Sequence, residues 1–436
     1  MSVFTREGKT NIPSKGPSPH PTMPQIKVSR GGIKKLLSKV KPKKASGPDR
    51  FPARFLMEMA EPLSTVLAFI FQQSLDQGQV PQDWRDANVA PIFKKGDRGQ
   101  AANYRPVSLT AIPCKILEHV IVSQTLDHLD AHHILVDCQH GFRAKRSCET
   151  QLIITAHDLA SSLNRHKQID MAVLDFSKAF DRVPHQRLLL KLEYYGMSTS
   201  TVSWIKSFLD SRTQQVIVDG ESSKPGPVHS GVPQGTVLGP MLFLLYINDI
   251  TEDISSSIRL FADDCLVYKE ITSPEDSKTL QEDLDKLVHW GNTWLMSFNV
   301  KKCHVMRLTS ARKHITPFDY FMNGEQVHLT QETPYLGVII TSKLSWNEHI
   351  NHITSKAQRM LGFLRRNLHS CPRQIREQSY MSLVRPTLEY CASVWDPQTV
   401  KGITKVENVQ RRAARYICPK SAIPALQPCM IASHGW

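Results

Sequence analysis

"RLFADDCLVY", residues 259–268, sets two adjacent aspartates, Asp263 and Asp264, inside an otherwise apolar run. β-type residues flank the pair on both sides, which predicts strand, tight turn, strand, with the aspartates at the connection. Neighbouring carboxylates repel, and each loses hydration where protein surrounds it. A fold that keeps them there must supply an offset: water, a basic partner or a divalent cation. A second buried strand, within "IDMAVLDFSKAFD", ends near Asp175. If the two strands are neighbours, three carboxylates converge at one end of a sheet. Such a set can hold two Mg²⁺ ions about 4 Å apart, an arrangement suited to in-line phosphoryl transfer. Mg²⁺ favours hard carboxylate oxygens and shares its remaining positions with substrate phosphates.

Charge narrows the partner. The 436 residues carry 54 Lys plus Arg against 40 Asp plus Glu, a formal net charge of +14. That excess suits a polyanion such as nucleic acid, or an anionic surface. No apolar run reaches the length of a membrane span and no secretory signal opens the chain, so an intracellular, non-secreted protein without a membrane partner is expected. The nine cysteines are scattered without a C-x-x-C pair, which argues for free thiols and against a structural zinc. His128 and His132 stand at i, i+4 without an H-E-x-x-H and read as surface histidines.

Along the chain, residues 1–28 read as a flexible basic tail, followed by a short basic helix and a Gly-Pro turn. "PLSTVLAFIFQQSLDQG" reads as a helix with Leu63, Val66, Leu67, Ile70 and Phe71 on one face and Gly78 beyond its end. "ANVAPIFKKGD" is a strand leading to a basic turn, "HQRLLLKLEYYG" a helix stopped by Gly196, and "TQQVIVDGESSKPG" a hairpin. Past "YLGVIIT" the pattern is helical. Ile350, Ile353, Ala357, Met360, Leu361 and Leu364 form an apolar stripe, and Lys356, Arg359 and Arg366 share another face. The fold class expected is α+β with an all-α appendage.

Nine stretches then follow in order: "KKASGPDRFP", "VPQDWRDANVAPIFKKGD", "NYRPVSLTAIPCKILEHVI", "QHGFRAKRSCETQL", "LDFSKAFDRVPH", "SGVPQGTVLGPMLFLLYINDI", "LFADDCLVY", "WLMSFNVKKCHVM" and "YLGVIIT". Together they resemble the reverse transcriptases of non-long-terminal-repeat (LINE-class) retrotransposons, and within them the jockey-like group. The match runs from about Lys41 to Arg415. It implies a right-hand polymerase: fingers at 29–170, a palm with an antiparallel sheet at 171–345 (with an insertion near 188–228), a helical thumb at 346–420 and a C-terminal tail at 421–436.

The resemblance also implies roles. Asp175, Asp263 and Asp264 match the catalytic carboxylates that hold two Mg²⁺ ions, with the backbone carbonyl of Phe176 as a further ligand. Asp181 belongs to the motif without binding metal. Lys302, rather than Lys301, matches a lysine that protonates the leaving pyrophosphate. Lys94 and Arg105 face the triphosphate. Phe180 lies beneath the incoming sugar and excludes a 2′-hydroxyl. Gln234 and Gly235 line the nucleotide and template. Tyr335, Leu336 and Gly337 support the primer end. Lys356, Arg359 and Arg366 track the duplex backbone by phosphate contacts. The implied partners are template RNA, a DNA primer or nicked target DNA, and deoxynucleoside triphosphates. The protein would act in the nucleus and cytoplasm as a ribonucleoprotein.

Phe261 stands where many relatives have Tyr, and Cys265 and Cys303 where they have Thr; every metal ligand is kept. The tail is too short for an endonuclease domain, so a separate endonuclease activity is expected to supply the primer end, and the C-terminal stretch reads as shortened. The alternatives are an inactive, truncated copy that only binds nucleic acid, and an RNA-directed RNA polymerase. The "FADD" context and Phe180 disfavour the latter.

Overall fold

The computed structural model describes residues 4–8, 12–310 and 316–418. The expected tail at 421–436 lies outside them. The chain is a mixed α/β fold with strands β1 (Ala87–Phe93), β2 (Tyr104–Leu109), β3 (Gln168–Asp175), β4 (Thr213–Val218), β5 (Glu221–Ser222), β6 (Gly226–Pro227), β7 (Ser257–Phe261), β8 (Asp264–Ile271), β9 (His304–Leu308), β10 (Phe321–Met322), β11 (Glu325–Gln326), β12 (His328–Thr330), β13 (Glu332–Tyr335) and β14 (Val338–Thr341).

The central sheet has the order β12-β9-β3-β8-β7 and is antiparallel except for β12 beside β9. It is covered on both faces, and strand alternation decides which residue meets which core. Ile169 and Met171 of β3, with Leu266 and Tyr268 of β8, pack against Leu152 and Leu159 of the helix Cys148–Asn164 and against Tyr335, Ile340, Ile350 and Trp395. Ala172, Leu174, Cys265 and Val267 face the opposite way, onto Leu242, Leu280 and Leu284. Asp170 shares that second face. It is fully buried and is satisfied by Gln168, Arg307 and the Tyr320 hydroxyl.

A second sheet joins β2, β1, β4 and β5, with β6 on β4. β1 and β2 form an antiparallel hairpin, while β4 runs parallel to β1. The stretch near 188–228 thus contributes a strand to the sheet begun at β1. The helix Cys148–Asn164 sits on the central sheet instead, because Leu152 and Leu159 are its apolar face. At the C-terminal end, Ala357, Leu361 and Leu364 of the helix Asn347–Asn367 close a third core with Val409, Ala413 and Tyr416 of the helix Val400–Ile417.

Three expectations change. Residues 12–28 are not a free tail. Met23 and Ile26 are buried, the Met23 N–H donates to the Gly196 carbonyl (2.7 Å), and the Lys15 ammonium lies 3.0 Å from Asp249. Two apolar side chains, and the Gly196 carbonyl just past the helix His185–Tyr194, give this low-complexity stretch something to bind. The helix Ala60–Gln77 ends at Gly78 (φ +62°) as read, but it buries Ala60, Ser64, Phe71 and Leu75 and leaves Val66 and Ile70 exposed. Small residues let the helix Arg30–Ser38 approach closely, so size overrides hydrophobicity in choosing the face. His128 is buried and bonds the Tyr195 carbonyl at 3.2 Å rather than facing solvent. The eight cysteines of the described residues are all free, and no described helix is long and apolar enough to cross a membrane.

Behind the central sheet, Lys191 is fully buried. Its ammonium donates to the Tyr246 carbonyl (2.6 Å) and Asp249 Oδ1 (2.5 Å), and lies 3.7 Å from the centre of the Trp294 ring. Burial pushes this ammonium down to about 7, against the pull of Asp249. The knot ties the helix His185–Tyr194 to the helix Leu238–Ile247 and the following turn. Lys191→Met takes the nearest cation from the buried Asp249 and leaves it the Lys15 ammonium and the Trp290 N–H, so it should cost about 3 kcal/mol in equilibrium denaturation. An unchanged midpoint and slope would show that the knot contributes nothing.

Candidate active site

The register of β3 and β8 places Asp175 directly opposite Asp264. Cross-strand partners point to the same face, so the two carboxylates leave the sheet end side by side. Phe261 also pairs with Asp264, which leaves Ala262 and Asp263 as a two-residue turn between β7 and β8. Ala262 takes the left-handed conformation (φ +53°), a strained one for a residue with a Cβ. Asp175 is fixed by its backbone: its carbonyl accepts from the Asn299 N–H (2.7 Å) and its N–H donates to Cys303 Sγ (3.4 Å). Phe176 bridges Phe298 through bonds made by its neighbours. Its own carbonyl takes no part and, by strand alternation, turns toward the β8 side.

The electrostatics are those of crowded carboxylates. Asp264 is exposed at the strand end, yet the protein packed around its carboxyl, then the charges of Asp263 and Asp175, push that carboxyl up to about 6. Burial and the Asp175 charge raise Asp263 too, with Arg105 and Lys94 pulling the other way. Both of those cations are exposed; Arg105 projects from β2 and Lys94 follows β1. The Lys302 ammonium lies 3.2 Å from Asp175 Oδ2, an atom shut off from water that has no other partner among the described residues.

Among the described residues, no three His, Cys, Asp or Glu side chains are gathered tightly enough to hold a metal as they stand. The donor set nonetheless fits a hard divalent cation: three neighbouring carboxylates, with one enclosed carboxylate oxygen that faces only the Lys302 ammonium.

A second cluster lies between the sheets. The Gln234 side chain donates to Asp181 Oδ1 (2.9 Å), and its carbonyl accepts from the Ser108 N–H (2.7 Å). Gly235 (φ +102°) passes so near β2 that a Cβ would lie 2.8 Å from the Ser108 oxygen. Phe180 stacks on Phe243 (4.3 Å, 18°) and meets Phe142 edge-on (6.2 Å), with part of its ring open. Asp181 therefore holds the Gln234 loop. Tyr335 is buried with its hydroxyl accepting from Gln151 (3.3 Å), and the Leu336 carbonyl accepts from the Tyr390 hydroxyl (2.9 Å). Leu336 and Gly337 form the β13–β14 turn, both with positive φ. Lys356, Arg359 and Arg366 are exposed on the helix Asn347–Asn367 and have no ion-pair partner among the described residues.

The structure thus brings Asp175, Asp263, Asp264 and Lys302 together, with Arg105 and Lys94 within electrostatic reach. Lys356, Arg359 and Arg366 lie on another element, the helix Asn347–Asn367. Gln139, Gln151, Cys303 and Tyr390 were given no role from sequence. Gln139 and Gln151 lay inside a quoted motif, "QHGFRAKRSCETQL", whose order was the only signal.

Residues 92–340, more than half of the chain, match the family model described as reverse transcriptase (RNA-dependent DNA polymerase). The chain belongs to the reverse transcriptase family. It is 29% identical over 411 residues to the RNA-directed DNA polymerase from mobile element jockey of Drosophila melanogaster, covering 91% of this chain and 44% of that protein. The Drosophila funebris jockey protein matches at 29% over 410 residues (91% and 44%). A probable RNA-directed DNA polymerase from transposon X-element of Drosophila melanogaster matches at 25% over 390 residues (86% and 42%). The chain spans less than half the length of these curated relatives. The expected likeness to retrotransposon reverse transcriptases stands, and members of this family generally use divalent metal ions.

The raised Asp264 carboxyl has a consequence for stability. Between its ordinary value near 4 and about 6, the folded chain keeps a proton that the unfolded chain has lost. Stability therefore falls as pH rises through that window. In chelator, Asp264→Asn should melt higher than wild type at pH 8, and the difference should vanish by pH 4. A variant that melts no higher at pH 8 would show that the carboxylates do not strain the fold.

Proposed function

We propose that this chain is an RNA-directed DNA polymerase that extends a primer 3′-hydroxyl along an RNA template. The observation that carries the reading is the Asp175–Asp264 register pair with Asp263 in the adjoining turn, opposite Arg105 and Lys94. Asp175, Asp263, Asp264 and the Phe176 carbonyl would hold two Mg²⁺ ions. When bound, the ions neutralise charge on the attacking and leaving oxygens. Phosphoryl transfer then asks the protein mainly for positioning and charge. Arg105 and Lys94 draw in the triphosphate. Lys302 gives a proton to the leaving pyrophosphate. Gln234 and Gly235 line the nucleotide and template, and Tyr335, Leu336 and Gly337 support the primer end.

In this reading the central sheet is the palm, the β1–β2 sheet belongs to the fingers, and the helices from residue 346 are the thumb. Lys356, Arg359 and Arg366 follow the duplex by phosphate contacts without reading sequence. The partners are template RNA, a DNA primer or nicked target DNA, and deoxynucleoside triphosphates.

With Mg²⁺ and deoxynucleotides, the purified chain should extend a primer on homopolymer RNA. Asp263→Asn should abolish extension while template affinity stays within about two-fold, since it alters ligation and leaves the cationic face intact. Equal activity in the two proteins would remove the carboxylate assignment. No activity in either would favour a chain that only binds nucleic acid.

Phe180 offers a separate check. A ring beneath the sugar discriminates by clash, and a clash can be removed without touching the carboxylates. Phe180→Val should raise the ratio of ribonucleotide to deoxynucleotide incorporation about ten-fold or more. If the ring only fills the core against Phe243, both activities should drop together and the ratio should stay at the wild-type value.

A further inference from the structure

The turn that carries Asp263 is held from outside its own hairpin. Residues 138–141 run alongside β7, pairing Gln139 with Leu260 in parallel. The Leu260 N–H donates to the Cys138 carbonyl (3.0 Å), and the His140 N–H donates back to the Leu260 carbonyl (2.9 Å). Gln139 is 2% exposed, and its Oε1 accepts two N–H bonds: from Gly141 at 2.7 Å and from Ala262 at 3.0 Å. Gln139 Nε2 is buried and has no hydrogen-bond partner among the described residues. The buried amide is thus used for its acceptor alone. Gly141 completes the fit, since a Cβ there would lie 2.3 Å from the Ala262 nitrogen and 3.0 Å from its Cα.

We infer that Gln139 is a positioning residue for polymerisation, its carbonyl oxygen locking the strained Ala262 so that Asp263 keeps its place beside Asp264 and Asp175. The physical need is specific. Ala262 sits in the left-handed region, which a residue with a Cβ adopts only when its surroundings over-determine it. Its N–H is enclosed by protein, and a buried donor without an acceptor is costly. Gln139 removes that cost in the one conformation that presents Asp263. Without it, the turn can relax to an ordinary backbone conformation and carry the carboxylate away. The catalytic half of this inference rests on the polymerase reading, and the structural half does not.

Two measurements separate them. Amide exchange is followed by mass spectrometry in a peptide covering 257–268, and steady-state extension gives kcat, the nucleotide KM and primer–template affinity. Gln139→Met keeps the side chain's length and removes the acceptor. Exchange at Ala262 should quicken about ten-fold. The value of kcat should fall about 10²-fold, as for a small misplacement of a reacting group, while KM and template affinity stay within about two-fold. Gln139→Glu keeps an acceptor for both N–H groups and replaces the unpartnered Nε2 by a carboxyl oxygen, which burial beside Asp263 keeps protonated at about pH 5, so at that pH it should retain slow exchange. Gly141→Ala, which pushes on Ala262 directly, should reproduce the Gln139→Met pattern even if Gln139→Met folds poorly. Wild-type exchange in Gln139→Met or Gly141→Ala, equal exchange in Gln139→Met and Gln139→Glu, or faster exchange with unchanged kcat would each overturn the inference. A wild-type chain that extends no primer would sink the polymerase reading, and the exchange comparison would still decide the clamp.

Discussion

Asp175 facing Asp264 across two paired strands is an arrangement that a sheet ordinarily avoids, since like charges directly opposite are destabilising. Much of the structure can be understood as what makes that pairing tolerable. The strands are buried on both faces by Ile169, Met171, Leu266 and Tyr268 on one side and Ala172, Leu174, Cys265 and Val267 on the other. Slipping the register by one residue would turn every one of those side chains to the wrong core. Hydrophobic burial along the strands thus fixes a charge repulsion at their end. Desolvation and that repulsion together raise the Asp264 carboxyl to about 6, and the Lys302 ammonium beside Asp175 offsets part of the negative charge.

The surroundings hold the carboxylates from three directions. Cys303 and Asn299 grip the Asp175 backbone from the turn that leads into β9. Gln139 and Gly141 grip the Asp263 turn from beyond β7. Asp181 and Gln234 tie the loop after residue 230 to β2, which carries Arg105. Each grip uses a backbone group or a buried polar side chain, so the geometry is set by short directional bonds rather than by the shape of an apolar pocket.

Part of this could be read directly along the chain. The strands ending at Asp175 and beginning at Asp264, the helix stops at Gly78 and Gly196 and the Ile350–Leu364 stripe all follow from local periodicity and turn chemistry. The three carboxylates were legible because charge is conspicuous in an apolar run. The buried face of the helix Ala60–Gln77 was not, because Ser64 and Ala60 are chosen by a neighbour's closeness and hydrophobicity gives no warning of that. Residues 12–28 looked like a tail because their few apolar side chains, Met23 and Ile26, carry no period.

The sequence by itself determined which side chains could do chemistry and, through the order of its motifs, the family to which the chain belongs. Tertiary structure alone decided the register that sets Asp175 against Asp264, the parallel placement of β4 beside β1, and the use of Gln139 as an acceptor for a turn more than a hundred residues away. The physical reason is range. Helix and turn preferences act over a few residues, and the alternating pattern of a strand tells which face is buried without naming the partner strand. Pairing between distant segments depends on how all the layers pack at once.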